Sequence, residues 1–282
     1  MKKKCTLILS LLLVLALLCA CGDAAETGKT ENTESAQPVK IRVAASPTPH
    51  AEILAVAAEI LAQEGYELEI VEYDDYVQPN LVVDSGELDA NYFQHSPYLE
   101  SFNAENGTQI VSVGLIHYEP FGIYAGKTAS LEELPDGAEI IIPNDGSNVT
   151  RALLLLQQEG LIKLADGIDA SSNATVYDIA ENPKNLVITE MDAAQLARSL
   201  PDVDLAVING NFALAAGLNA AEDALAVEDA SGDAAQTYAN LLGVKAGREN
   251  DPAIQALLRA LQSDQVRDFI NENFGGAVVP IF

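Results

Sequence analysis

Apolar and polar positions alternate along the chain with two different periods, and short segments of one period follow short segments of the other. Ala51–Gln63 places its apolar residues three and four positions apart, which predicts an amphipathic helix that stops before Gly65. Ile41–Ala45 and Leu68–Val71, on either side of it, are short aliphatic runs typical of buried strands. This order of strand, helix and strand predicts parallel strands covered by helices.

The same alternation continues in two series, which predict two α/β lobes of ordinary domain size within residues 40 to 282. The first series predicts helix Gln78–Ser85, strand Ala90–Phe93, helix Pro97–Asn106 and strand Ile110–Leu115. The second predicts strands Glu139–Ile142, Leu186–Thr189 and Leu205–Ile208 and helices Val149–Gln158, Ala193–Leu200 and Phe212–Ala216. Two further helices, Pro252–Gln262 and Asp264–Asn273, are expected to close the chain without another obvious strand series.

The first 21 residues have the pattern of an export signal. Lysines at positions 2 to 4 precede Thr6–Ala20, an almost entirely apolar run that is shorter than the roughly 20 residues of a membrane span. The run ends in Leu18-Cys19-Ala20-Cys21, which resembles the bacterial lipobox. We therefore expect residues 1–20 to be a lipoprotein signal peptide and Cys21 to be the lipidated mature N-terminus. An ordinary signal peptide cleaved after an alanine and an uncleaved anchor are the alternatives.

Residues 21–39 are predicted to form a disordered tether between the lipid and the first lobe. The segment after Cys21, GDAAETGKTENTESAQPV, has a single aliphatic valine among many Ala, Thr, Glu, Gly and Ser residues. Such a composition buries too little apolar surface to offset the conformational entropy of folding.

Composition and missing motifs exclude several function classes. The 282 residues contain 15 Lys+Arg and 42 Asp+Glu, a formal charge of −27 that repels a phosphate backbone, so no nucleic-acid partner is expected. All three cysteines lie in the first 21 residues, which excludes thiolate chemistry and cysteine-bound metals from the lobes. GxSxG, HExxH, Walker A and GxGxxG motifs are absent, so we expect no enzyme activity, no cofactor and no metal.

Three segments carry polar residues directly after a predicted strand, where open α/β sheets bind ligands. Asn91–Tyr98 offers three aromatic rings and His95, a lining suited to a small, partly apolar molecule, or simply a packed strand end. Pro143–Arg151 joins a strand to a helix whose start attracts anions, and Arg151 adds a planar carboxylate partner. Asn148 or Ser147 as a helix N-cap and a surface role for Arg151 are the simpler alternatives.

The third segment, Val207–Phe212, again places amides between a strand and a helix, and Asn209 or Asn211 could act only as a helix cap. The pair Asp74–Asp75 could in principle serve acid/base or metal chemistry, but adjacent side chains diverge and no histidine accompanies them.

Taken together, these residues resemble the methionine-binding lipoproteins of bacterial ABC importers, the NlpA-type family of two-lobed periplasmic-type binding proteins. The similarity runs in family order over almost the whole mature chain. It is carried by DDYVQPN (74 to 80), GELDANYFQHSPYL (86 to 99), HYEPFGIY (117 to 124), PNDGSNVTRALLLLQQEGLIKL (143 to 164), ENPKNLVI (181 to 188), AVINGNFALAAGL (206 to 218) and YANLLGV (238 to 244).

The resemblance implies a type II-like periplasmic-binding-protein fold, in which each lobe is a mixed, mostly parallel sheet flanked by helices. Residues 40–118 and 242–282 would form lobe I and residues 119–241 lobe II. Two crossing hinge segments, near 117–120 and 238–242, would join the lobes and let them close on a ligand, after which the protein would dock on the permease of the importer.

The resemblance also implies a set of ligand contacts. Arg151 would take the ligand carboxylate with Asn148 near it, and Asn209 and Asn240 would accept hydrogen bonds from the ligand ammonium. Aromatic edges suit a thioether, since sulfur gains roughly 0.3 to 1.5 kcal/mol per such contact. The side-chain pocket would be walled from lobe I by Tyr76, Tyr92, Phe93, His95 and Tyr98.

The sequence departs from the family at three places beside this pocket: Gly146-Ser147 and Thr150, where Pro-Thr and Gly are common, and Phe212, where Tyr is usual. The expected ligand is L-methionine. Another small amino acid, a methionine derivative or a dipeptide bound by the same fold is the alternative, and a secreted lipoprotein enzyme using Asp74, Asp75 or His95 is the competing class. The expected location is the extracytoplasmic face of the cell membrane, held there by the lipid on Cys21.

Overall fold

The computed structural model describes residues 37–228 and 234–282. The predicted signal peptide, Cys21 and the tether up to residue 36 lie outside the described residues. No helix in the described ranges is long and apolar enough to cross a membrane.

The strands are β1 Val39–Ala45, β2 Tyr66–Glu72, β3 Ala90–His95, β4 Ile110–Tyr118, β5 Gly122–Ala125, β6 Glu139–Pro143, β7 Lys163–Leu164, β8 Ile179–Glu181, β9 Val187–Met191, β10 Leu205–Ile208, β11 Ala226–Val227, β12 Asn240–Lys245 and β13 Val279–Pro280.

The α-helices lie between these strands and after them. They are α1 Glu52–Gln63, α2 Gln78–Asp84, α3 Ser96–Asn106, α4 Gly146–Gln158, α5 Ala193–Ser199, α6 Gly210–Ala215, α7 Ala220–Asp223, α8 Ala234–Thr237, α9 Pro252–Leu261 and α10 Asp264–Asn273.

Two mixed sheets organise these elements. The first has the strand order β13-β4-β12-β3-β1-β2, and the second has the order β11-β5-β10-β6-β9. Strands β1, β2 and β3 pair in parallel, as do β6, β9 and β10. The remaining pairs of both sheets are antiparallel. The predicted α/β fold with mixed sheets flanked by helices is confirmed, although antiparallel pairing is more extensive than the mostly parallel sheets that we expected.

Strand β12 is the largest difference from the elements predicted along the chain. It runs between β3 and β4 in the middle of the first sheet, where the sequence predicted no strand, and its residues are buried except for the last. A short, continuous apolar run does not alternate, so periodicity cannot separate it from a buried helix or loop. Gly243 is needed within it, because a Cβ there would lie 2.5 Å from Oδ1 of Asn91 on β3.

Each sheet has its own apolar core. Helices α1, α9 and α10 cover one face of the first sheet with side chains such as Leu54, Leu257 and Ile270, which are fully buried. Helix α4 covers the second sheet with Leu153 and Leu156, also fully buried. Burying each such side chain contributes roughly 1.5 to 3 kcal/mol, so these helices are fixed by their apolar faces.

The chain passes between the two sheets twice in the described part. It leaves β4 at Tyr118 and enters β5 at Gly122, and it returns from β11 to β12. Because β12 is antiparallel to both of its neighbours, its first residue, Asn240, lies opposite His95 at the end of β3 and His117 near the end of β4. The boundaries of the two lobes and their hinges stay a prediction.

Gly126 and Gly146 form a matched pair for testing the packing of the second sheet. A Cβ at Gly126 would lie 2.3 Å from the backbone oxygens of both Leu200 and Val203, whereas one at Gly146 would lie 3.8 Å from its nearest neighbour. Gly126→Ala should therefore lower the free energy of unfolding by about 1 to 3 kcal/mol. Gly146→Ala should leave it unchanged or raise it slightly, because Ala favours a helix over Gly. Urea denaturation measures both, and equal effects would contradict this packing.

Candidate functional site

The polar ends of several strands and helices converge on one narrow cavity of about 340 Å³, mouth included. Its size lies at the lower end of the range for small-molecule sites. The cavity is lined by Tyr76, Phe93, Gln94, His95, Tyr98, Glu119, Asn148, Arg151, Asn209, Gly210, Asn211 and Asn240. These residues come from both sheets, so the cavity is built only when the two sheets face each other.

The structure brings eight of the nine sequence-predicted contact residues to this cavity and places Tyr92 elsewhere. Successive side chains of a strand point to opposite faces, so Tyr92 faces away from Phe93. The Tyr92 side chain is fully buried against the His50 ring, 4.8 Å away between centroids, and its hydroxyl hydrogen bonds to Nδ1 of His117.

One wall of the cavity is aromatic. The Tyr76 ring lies 5.8 Å from that of Phe93, 5.6 Å from that of Tyr98 and 5.0 Å from that of Phe212, measured between ring centroids. The Tyr98 hydroxyl donates to the backbone oxygen of Tyr76 at 2.8 Å, which fixes both rings. Such a wall suits an apolar or thioether side chain.

A network of amides crosses the cavity. Asp145, not Asn148 or Ser147, caps helix α4: its carboxylate accepts from the backbone N–H of Asn148 at 3.0 Å and from Nδ2 of the same residue. The Asn148 amide is thereby oriented, and its Oδ1 lies 3.3 Å from Nε2 of His95 and 3.0 Å from Nδ2 of Asn209. His95 itself caps helix α3, since its Nδ1 accepts from the backbone N–H of Tyr98.

Asn209 presents a hydrogen-bond acceptor without a partner in the described part of the chain. The residue precedes helix α6 but makes no capping bond through its side chain, and Asn211 lies within the helix. The Nδ2 group of Asn209 donates to Oδ1 of Asn148, whereas the buried Oδ1 of Asn209 is unpaired. Since buried acceptors are nearly always satisfied, this oxygen is suited to a donor from a ligand.

Arg151 is buried rather than on the surface, with 5% of its side chain exposed. Its Nε donates to Oε2 of Glu228 at 2.9 Å, and its Nη2 donates to Oε1 of the same carboxylate and to the backbone oxygen of Glu119. The guanidinium also lies 4.3 Å from the ring centroid of Tyr238. Burial opposes the charge, but the Glu228 carboxylate outweighs it and raises the pKa of Arg151.

Glu119 forms a second buried cluster with two histidines. Its Oε1 lies 2.8 Å from Nε2 of His117 and 3.4 Å from Nε2 of His50, and His50 Nε2 lies 3.0 Å from Oδ1 of Asn240. One donor atom from each of these three residues lies within 4.8 Å of the other two, so the cluster is chemically able to bind a metal ion.

Sequence reasoning missed Glu119, Glu228, His50 and His117. Glu119 and His117 lie in HYEPFGIY, a stretch that carries the family resemblance and a predicted hinge but no predicted ligand contact. His50 and Glu228 are 190 and 77 residues from the partners that bring them to the site. The Asp74–Asp75 pair has no catalytic setting here: Asp74 is exposed, and Asp75 accepts from the backbone N–H groups that start helix α2.

A family model and known proteins match this chain. The model of the NlpA lipoprotein family matches residues 41–282. Methionine-binding lipoprotein MetQ of Bacillus subtilis is 40% identical over 278 residues, which cover 96% of this chain and 97% of that protein. Membrane lipoprotein TpN32 of Treponema pallidum is 44% identical over 234 residues, or 82% and 85% of the two chains.

A solved structure extends the similarity to three dimensions. A nutrient binding protein from Burkholderia cenocepacia, solved bound to methionine, is 48% identical and superimposes with a TM-score of 0.82. The match covers 86% of this chain and 100% of that one. The resemblance found in the sequence is thereby confirmed.

The three buried histidines should make the protein sensitive to mild acid. Burial lowers the pKa of His50 to about 4 and those of His95 and His117 to about 3. The unfolded chain takes up these protons near pH 6.5, so stability is lost as the pH falls from about 6.5 towards 4, by up to about 1.4 kcal/mol per histidine and pH unit. Buried Glu119 and Asp145, whose pKa values burial raises, oppose part of the loss.

We expect the free energy of unfolding of the ligand-free protein to be lower at pH 5 than at pH 7 by at least about 2 kcal/mol. Urea denaturation at the two pH values measures it. His95→Gln, which removes one of the three groups, should reduce the difference. Equal or greater stability at pH 5 would contradict the neutral, buried state of these side chains.

Proposed function

Because the chain belongs to the NlpA lipoprotein family, we propose that it is an extracytoplasmic solute-binding lipoprotein that captures methionine between two lobes and delivers it to an ABC importer. The protein is a transport component and not an enzyme. The methionine-binding relative from Bacillus subtilis and the methionine-bound structure from Burkholderia cenocepacia support the ligand class. L-Methionine is the proposed form.

This proposal depends mainly on one observation: a cation and an unpaired hydrogen-bond acceptor line the same small cavity. Arg151 and Asn209 both line it, and the buried Oδ1 of Asn209 has no partner among the described residues. An amino-acid zwitterion loses water from both of its charges on entering such a site, so both need partners there. A cationic group for the carboxylate and amide oxygens for the ammonium provide them.

The ligand carboxylate would meet only part of the Arg151 guanidinium. Glu228 takes the fork formed by Nε and Nη2, and within the described residues Nη1 makes no hydrogen bond. The proposed contact is therefore from Nη1, not the two-pronged contact that the sequence suggested. Asn148, on the preceding turn of helix α4, would lie beside it.

Two side-chain amide oxygens are proposed to accept hydrogen bonds from the ligand ammonium. Asn209 offers its free Oδ1, whereas Oδ1 of Asn240 already lies 3.0 Å from Nε2 of His50. A carbonyl oxygen has two lone pairs, so Asn240 could still accept from the ligand while it holds His50. The methionine side chain would lie against Tyr76, Phe93 and Tyr98, and His95 would orient Asn148.

Closure of the lobes would follow from contacts with both sheets. Residues 40–118 and 242–282 are proposed as lobe I and 119–241 as lobe II, with hinges near 117–120 and 238–242. A ligand favours the closed state only through contacts that the open state lacks. Since His95 lies on the first sheet and Arg151 beside the second, a ligand between them would supply those contacts.

Methionine should stabilise the protein. After unfolding and refolding to remove any retained ligand, methionine at about 100 times its dissociation constant should add roughly 2.7 kcal/mol to the free energy of unfolding. At about 2 to 4 °C per kcal/mol, the melting temperature should rise by roughly 5 to 11 °C.

Asn209→Ala, which removes the free acceptor, should weaken the calorimetric affinity by about 10- to 100-fold.

Asn273→Ala is the matched control, because Asn273 is exposed and bonds only the backbone of its own helix. Arg151→Ala is a less clear test, since it also leaves the buried Glu228 carboxylate unpaired. A shift with another amino acid but none with methionine would support the alternative ligand. No shift with any amino acid, methionine derivative or dipeptide would contradict the proposed class.

We also propose that lipid on Cys21 holds the protein at the extracytoplasmic face of the cell membrane, close to its permease. Two relatives support this location by their names, membrane lipoprotein TpN32 of Treponema pallidum and outer membrane lipoprotein 3 of Mannheimia haemolytica. The chain carries a formal charge of −27, so its surface has no general attraction for an anionic membrane.

Cys21→Ser should give a folded protein that no longer partitions with membranes, because the serine cannot receive the thioether-linked lipid. Detergent-phase partitioning of the full-length chain, expressed with its leader, measures this. The methionine-induced shift in melting temperature should be unchanged, which shows that the variant is folded. A Cys21→Ser chain that stays in the detergent phase would contradict the lipid anchor.

A further inference from the structure

Two carboxylates are almost completely buried at the junction of the two sheets, and their surroundings differ. Glu228, with 7% of its surface exposed, pairs with Arg151. Glu119, with 6% exposed, has only His50 and His117 as ionisable groups at hydrogen-bond or ion-pair distance. Among the described residues, Glu228 therefore neutralises the charge of Arg151, and Arg151 is not left to pair with the Glu119 carboxylate.

The two histidines next to Glu119 carry no charge. Nε2 of His117 hydrogen bonds the carboxylate, whereas Nε2 of His50 bonds Oδ1 of Asn240 and lies 3.4 Å from the carboxylate. Burial lowers both of their pKa values far below neutrality, to about 4 for His50 and about 3 for His117. A neutral imidazole orients a carboxylate but does not cancel its charge. Among the described residues, no charged cation contacts the Glu119 carboxylate, and a buried anion without such a contact is costly. Burial therefore raises the pKa of Glu119, and the more distant Arg151 charge and the His50 ring offset only part of this rise.

The hydrogen bonds give this cluster one consistent order. The Tyr92 hydroxyl bonds Nδ1 of His117, which leaves the ring proton on Nε2, where it points at Oε1 of Glu119 at 2.8 Å. The backbone N–H of Asn211 lies near the same carboxylate and lowers its pKa. Gly210 leaves the space for it, since a Cβ there would lie 2.7 Å from Oε2 of Glu119.

From this arrangement we infer that Glu119 is a specificity-determining residue that binds the α-ammonium of the ligand, and that His117 is the positioning residue that holds it at the cavity. This inference rests on the proposed function. It gives the ligand ammonium a negatively charged partner, Glu119, in addition to the amide oxygens. The ammonium supplies the counterion that Glu119 lacks among the described residues, so the site selects free amino acids over analogues without a charged amine.

Two ligands of the same shape but different charge distinguish a buried carboxylate that binds an ammonium from one that does not. 2-Hydroxy-4-(methylthio)butanoate has a hydroxyl in place of the ammonium of methionine and is otherwise the same. Calorimetric titration of the refolded protein should give an affinity for methionine that is higher by about 100-fold or more, because only methionine pairs with the buried carboxylate.

Glu119→Gln keeps the shape and removes the charge. It should weaken methionine binding by about 100-fold while changing that of the hydroxy analogue by less than about threefold, so the preference should nearly vanish. His117→Leu should lower the preference by about tenfold, because Glu119 loses its donor, and His117→Gln should restore most of it. Glu87→Gln, on an exposed carboxylate, is the matched control and should keep the wild-type preference.

A purely structural role for Glu119 would weaken both ligands equally and would overturn the inference, as would an unchanged preference in Glu119→Gln. Binding of the hydroxy analogue shows that each variant is folded. If His117→Leu fails to fold, Glu119→Gln alone decides. His50→Gln should keep most of the preference, because His50 bonds Asn240 rather than Glu119. A preference lost on chelation and restored by Zn²⁺ would assign the cluster to a metal and also overturn it. Failure of wild type to bind methionine would instead contradict the proposed function.

Discussion

The buried ion pair between Arg151 and Glu228 is the interaction on which the junction of the two sheets depends. Oε1 of Glu228 also accepts from the Tyr118 hydroxyl at 2.6 Å and from the backbone N–H of Phe121 at 3.0 Å. One carboxylate therefore joins the start of helix α4 to the segment that leaves the first sheet and, through its own position after β11, to the segment that returns to it. Removing either partner would leave a buried charge and would loosen both crossings at once.

This pair also sets the chemistry of the cavity. Because Glu228 and the backbone oxygen of Glu119 hold Nε and Nη2, the guanidinium is fixed before any ligand enters, and a carboxylate need not order a flexible side chain. The same pairing reduces the net positive charge that a ligand carboxylate would meet. A site of this kind would gain affinity from preorganisation more than from raw charge.

The sequence predicted those features that depend on local pattern and failed on those that depend on distant contacts. Helix α10 and strand β10 have the predicted bounds because their periods and caps are local. Strand β12 was missed because its apolar run has no alternation and its pairing with β3 and β4 is set by the sheet. Asn148 or Ser147 was the alternative offered for the cap of helix α4, but Asp145 caps it, since its carboxylate accepts from both the backbone N–H and the side-chain amide of Asn148.

The residues that were missed at the cavity share one property: each is recognised only by its partner. A single glutamate in a sequence does not indicate whether it is buried or paired. In the structure, a glutamate 2.8 Å from a neutral imidazole and without a cation in contact indicates a site for a cationic ligand group. The resemblance supplied residues that line the cavity, namely Arg151, Asn209 and the aromatic wall. The residues behind them decide which charge each one presents, and that depends on burial and on contacts between segments as far apart as His50 and Asn240, which only the folded chain brings together.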